Sequence, residues 1–184
     1  MDIKPKSVFR RGAEDGVKFG IYLSITFLCV AFSTSIPLLG FLSTFMALGV
    51  PVFTYITLNK GYRDNGCFYK FPEMWTYGIV LFACGAMIMA LTIVVFTSWI
   101  YPTFIYDQCQ IAIDAYRSLN NPSANEIAAS LQKVADQKLL PSPFTIAWNI
   151  FTFSVFSGSI LSMIFAPIIR FFNDRKKRNN PLQQ

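Results

Sequence analysis

Few residues in this chain have the type and spacing to do chemistry. There is no histidine, which removes the commonest general base and the commonest metal ligand. The cysteines, Cys29, Cys67, Cys84 and Cys109, show no metal-ligand spacing. They read as small apolar side chains plus one free thiol. The acids Asp107, Asp114, Glu126 and Asp136 lack the spacing of a calcium loop. An enzyme built here would have to work with Asp107, Asp114, Arg63 or Asp64, and their spacing favours no reaction. The expectation is therefore a protein that is not an enzyme, with no catalytic residue, no metal and no cofactor.

The bases are more informative. Asn59 to Phe71 is a turn-rich stretch that interleaves bases with aromatics: Lys60, Tyr62, Arg63, Phe68, Tyr69, Lys70. Arg63 is suited to grip a lipid phosphate with two parallel N–H donors. The tail run Arg175, Lys176, Lys177 and Arg178 should favour anionic lipid by about 1 kcal/mol per base near the surface. Arg63, Lys70 and these four tail bases are the candidate lipid-headgroup contacts. The plainer alternative is that they anchor topology, with snorkelling side chains.

The elements that position these residues are set by where charge is missing. Residues 19–59, 74–106 and 139–169 contain no Asp, Glu, Lys or Arg. A hydrocarbon core about 30 Å thick takes roughly 20 helical residues. The second and third stretches each suit one crossing. The first is about 60 Å long as a single helix, twice the core, so it must fold back. Pro37 and Gly40, after Ser33-Thr34-Ser35, mark the turn. The expected helices are about 17–36, 38–58, 74–105 and 144–171. The fold class is thus all-α: a polytopic membrane domain over 1–184, with four transmembrane helices. A helical outer hairpin, 107–142, lies between the third and fourth, and a basic cytoplasmic tail covers 172–184.

Charge fixes the sidedness. With four spans, thirteen bases fall on one side: Lys4, Lys6, Arg10, Arg11, Lys18, Lys60, Arg63, Lys70, Arg170, Arg175, Lys176, Lys177 and Arg178. The other side has Arg117, Lys133 and Lys138. Basic residues stay cytoplasmic, so both termini should be cytoplasmic. The net charge of +6 is then a topology signal and not a nucleic-acid footprint. Trp75, Trp99, Tyr101 and Trp148 sit where interfacial aromatic belts belong.

Helix association in lipid relies on close packing and polar contacts. Ser154, Gly158, Ser162 and Ala166 recur every four residues. They form a small-residue face, either for packing within the bundle or for a membrane partner. Pro51 should interrupt the second helix, as a static kink or a hinge. In the outer segment, Ser123 and Glu126 have capping-box spacing. Ile127, Leu131 and Val134 share one face of the helix that follows. Spans without an ionisable residue argue against ion-coupled transport.

The run Tyr62-Arg63-Asp64-Asn65-Gly66 leading into the third span, followed by Ile100-Tyr101-Pro102, resembles the small four-span proteins of Bacteroidota grouped as domain of unknown function 4199. The tight first hairpin and the helical segment before the last span are similar too. The resemblance implies no activity and no site residue. Members are often encoded beside enzymes that attach sugars to polyprenyl phosphate, so the resemblance implies a bacterial inner membrane, with 107–142 periplasmic, and those enzymes as candidate partners. The leading expectation is a non-enzymatic accessory or structural subunit, embedded in the bilayer with another membrane protein or further copies of itself. The alternatives are a small carrier for polyprenyl-phosphate sugars and, third, an enzyme using interfacial polar groups.

Overall fold

The computed structural model describes residues 7–64, 70–137 and 139–179, with only the backbone for 174 and 176–179. The described residues form six α-helices: α1 (Val8–Ala31), α2 (Pro37–Asp64), α3 (Phe71–Val95), α4 (Phe104–Ser118), α5 (Pro122–Asp136) and α6 (Pro143–Asn179). No strand occurs among them. Three helical stretches are long and apolar enough to cross a membrane: Pro37–Asp64, Phe71–Ile100 and Pro143–Asn173. Contacts gather into two compact units, Met1–Ala90 with Ile150–Gln184, and Leu91–Asn149.

Several boundaries differ from the sequence expectation. The first helix starts at Val8, not near residue 17, because Ser7 caps it by accepting from the Arg10 N–H. It ends at Ala31, not Ile36, and Phe32 to Ile36 form the turn. Pro37 then opens α2, where a missing N–H costs nothing. That helix continues to Asp64, beyond residue 58. The third helix begins at Phe71 because the Lys70 N–H is held by Glu73 at 3.0 Å, half of a capping box. It does not reach residue 105. It widens into a π turn at Phe96–Ile100, closed by Tyr101 N–H to Phe96 O at 2.8 Å. Pro102 pushes Tyr101 out of the helical region, and Tyr101 has φ −141°.

The first unit holds α1, α2, most of α3 and most of α6, and its order comes from close approach. Gly12, Gly16 and Gly20 of α1 meet Val80, Cys84 and Ile88 of α3 in the same chain order, so these helices run parallel. On α6 the order reverses: Ser162 faces Gly78 and Gly158 faces the Phe82 ring. The α1–α2 pair is antiparallel, with Tyr22 bonded to Met46 O and Arg11 to Gly61 O. Two apolar clusters fill the interior. One is Leu58, Tyr62, Met74, Tyr77, Ala166 and Ile169; the other is Phe19, Leu23, Leu81 and Phe82. Phe19 stacks on Phe53 at 5.3 Å and meets Phe82 edge-on at 4.9 Å. Pro51 and Pro167 lie inside α2 and α6, and each removes one helical hydrogen bond.

The second unit pairs α4 with α5. The cap of α5 is Asn121, whose side chain accepts from Ser123 N–H, with Pro122 in the first turn. Ser123 is therefore not the cap, and the Ser123–Glu126 box is replaced by an Asx-type start. The inner face of α5 is also shifted. Ala124, Ala128 and Ala135 are buried, whereas Ile127 is exposed. Alanines win there because they admit a close partner helix, and Ile113 of α4 is fully buried.

Candidate functional site

The polar chemistry of the first unit collects where α1 starts, α2 ends, α3 starts and α6 approaches its end. Arg11 is the hinge pin. Its side chain is 19% exposed and lies 3.6 Å from Asp64. It also donates to Gly61 O at 3.0 Å. That carbonyl belongs to the last turn of α2, where helix carbonyls lack backbone partners. A guanidinium also suits the negative end of the α2 dipole. Asp15 accepts from the Tyr77 hydroxyl at 2.7 Å and from Lys18 at 3.3 Å. The rest of Tyr77 is buried. Arg10 pairs with Glu14 at 3.2 Å. Asn173 of α6 donates to the Asn59 carboxamide oxygen at 2.9 Å and to Ile169 O at 2.8 Å.

Two clefts open at this end. A small one, about 160 Å³, is lined by Arg11, Glu14, Asp15, Lys60, Gly61 and Asp64. A larger one, about 460 Å³, is lined by Ile56, Asn59, Lys60, Arg63 and Asp64. Positions 56, 59, 60 and 63 are spaced i, i+3, i+4 and i+7, so they share one face of α2. Lys60 and Arg63 make no ion pair with a described residue, whereas Asp64 is engaged by Arg11. The arrangement offers two cationic side chains and a carboxamide to an anion. Among the described residues it brings no nucleophile up against a base. Among the described residues, no group of three or more acids and cysteines is placed to hold a metal.

The sequence-predicted site residues are distributed as follows. Arg63 is exposed in the larger cleft. Lys70 is exposed and caps α3 through its backbone. Arg175 is exposed and lies over the Phe171 ring at 4.5 Å. The side chains of Lys176, Lys177 and Arg178 lie outside the described residues, as do Asn65, Gly66 and Cys67. Gly158, Ser162 and Ala166 are buried and Ser154 is half-buried. Gly158 and Ser162 spend that face on α3 within the same chain. Trp75 does more than sit at an interface: its indole N–H reaches Ser159 O and Oγ, both at 3.2 Å. Reading by sequence missed Asn59, Lys60, Arg11, Asp15 and Tyr77 as a connected group. It also missed the Gly12-Gly16-Gly20 stripe. The glycine spacing of four was there to be found, but it runs through the charged segment.

The sequence model of a family described as a protein of unknown function (DUF4199) matches residues 14–170. No curated relative and no solved structure matches the chain.

Proposed function

The chain belongs to the DUF4199 family, and from that premise we propose that it is a non-enzymatic accessory subunit of the bacterial inner membrane. It crosses four times, with both termini in the cytoplasm and residues 107–142 on the periplasmic side. The observation that carries this reading is the run of the helices in the first unit. α1 lies parallel to α3, and α6 and α2 run against them. α1 packs along α3 from Gly12 to Gly20 and runs on without charge to Ala31, its charged first three turns lying at the headgroups. A helix packed along α3 in this way crosses wherever α3 crosses. The same run gathers the basic ends of α1, α2 and α6 together, as positive-inside sorting requires. The subunit role is supported by how Arg11 and Asp15 are used: they tie α1 to α2 and α3.

Two measurements test this. On intact cells, a membrane-impermeant maleimide should label a variant retaining Cys109 alone. A variant retaining Cys67 alone should be labelled after the inner membrane is opened. The reverse pattern overturns the orientation. Gentle solubilisation followed by mass spectrometry should recover a defined protein complex. Recovery of a lone monomer, under conditions that keep other inner-membrane complexes whole, overturns the subunit role.

A further inference from the structure

The outward face of α2 joins two features usually found apart. Leu38, Phe41, Phe45, Leu48, Val52 and Ile56 are all exposed, by 56% to 73%. At about 100° per residue they fall within roughly a third of the helix circumference. Asn59, Lys60 and Arg63 continue on the same sector. An apolar track about 27 Å long thus leads, without a change of face, into the larger cleft. At its head stand two bases with no ion pair among the described residues, and Asn59. Asn59 spends its oxygen on Asn173 and so presents its N–H₂ group as a donor. Among the described residues the one acid lining the cleft, Asp64, is turned to Arg11. Apolar contact below and three donors above match an acyl chain joined to a phosphate.

We propose that this face of α2 binds one anionic phospholipid, its phosphate held by Arg63 and Lys60 with Asn59 and its chain lying on Val52 and Ile56. Arg63 supplies the planar donor pair that suits phosphate oxygens. Lys60 also lines the small cleft beside Glu14 and Asp15, so Arg63 carries the larger share. The proposal rests on the reading that this end of the bundle lies at the membrane surface, and the maleimide pattern tests that separately from lipid binding.

The full chain is placed in nanodiscs of four parts phosphatidylcholine to one part phosphatidylglycerol and released for native mass spectrometry. One retained phosphatidylglycerol per chain is expected. The double variant Lys60→Gln/Arg63→Gln should weaken retention about 30-fold, at about fivefold per base. Lys133→Gln/Arg117→Gln, in the second unit, should leave retention unchanged. Both pairs are on exposed surface, and matched thermal melting in detergent shows that each variant is folded. Ile56→Ser should weaken lipid retention while sparing binding of inorganic phosphate measured without lipid. Equal loss of both signals assigns the site to a soluble phosphate and overturns the lipid. Retention unchanged in Lys60→Gln/Arg63→Gln, or phosphatidylglycerol held no better than phosphatidylcholine, overturns the proposal. So does a protein partner found seated on this face in place of lipid.

Discussion

Gly16→Ala should destabilise the bundle by about 2 kcal/mol, whereas Gly40→Ala should not destabilise it. A Cβ at Gly16 would stand 2.7 Å from Cys84 Cβ and 3.0 Å from Leu81 O, with Gly85 N at 3.6 Å. Two of these three neighbours are backbone and cannot swing away. Overpacking of this kind costs about 1–3 kcal/mol. The close approach of the Gly16 Cα–H to a carbonyl, worth about 0.5–1 kcal/mol, is lost as well. Against this, alanine gains about 1 kcal/mol over glycine in helix propensity. The crossing therefore loses on balance. At Gly40 the same added carbon meets Ser33 Cβ at 3.5 Å, an ordinary contact, so the propensity gain stands almost alone. The two variants make the same chemical change on helices of one unit and differ in clearance. Unfolding in mixed micelles with rising sodium dodecyl sulfate, followed by tryptophan emission, reads both. Equal midpoints for Gly16→Ala and Gly40→Ala would refute the close α1–α3 crossing.

Three further outcomes follow from named contacts. Tyr77→Phe removes the hydroxyl bonded to Asp15 and should cost about 1–2 kcal/mol in the same unfolding assay; no shift would show that Lys18 alone satisfies Asp15. Asn173→Leu leaves Asn59 without its α6 partner and should destabilise, while Asn59→Leu/Asn173→Leu should recover part of the loss, since removing both partners is milder than removing one. Additive losses in that cycle would sink the pair. Tyr101, just past the π turn, has its phenol raised above 10.0 by the hydrogen bond to Asp107 and by that carboxylate's charge. The neutral phenol is the favoured form, so its contribution is complete below pH 10 and fades as pH climbs through the raised value. In an ultraviolet titration Asp107→Asn should move one tyrosine to lower pH, back toward 10.0, relative to the unaltered chain.

The apolar spans were legible because lipid imposes a simple requirement, a charge-free stretch of sufficient length. The fold-back at Pro37 was legible for a local reason, proline's fixed φ and missing donor. What escaped depended on partners. Asn121 outcompeted Ser123 as the α5 cap because Pro122 takes the first helical position, which puts the cap on the residue before the proline, two ahead of Ser123. Ile127 turned outward because alanines on the neighbouring face allow α4 nearer. The break at Phe96–Ile100 follows from Pro102, which was in plain view. A charge-free run says nothing about whether its helix is continuous. The face Ile56–Asn59–Lys60–Arg63 was hidden because Asn59 to Phe71 reads as loop by composition, while α2 carries helical order through Asp64.

The start of α1 shows why charge alone misplaces a helix. Arg10, Arg11, Glu14, Asp15 and Lys18 stand in its first three turns, and an unpaired charge there would be expelled to water. Each one has a partner in the structure, either within α1 or across to α2 and α3. Two of those contacts are i, i+3 or i, i+4 pairs within α1 and three join α1 to α2 or α3, so they form as a consequence of the packing and do not oppose it. The glycine stripe explains why the packing extends so far down. Gly12 and Gly16 lie among the charged residues and bring α1 close enough to α3 for Asp15 to reach Tyr77. Small residues on one face and paired charges on the other are thus one device. It lets α1 pack against its neighbours over its first three turns, and it leaves Lys60 and Arg63 of α2 without an ion pair among the described residues.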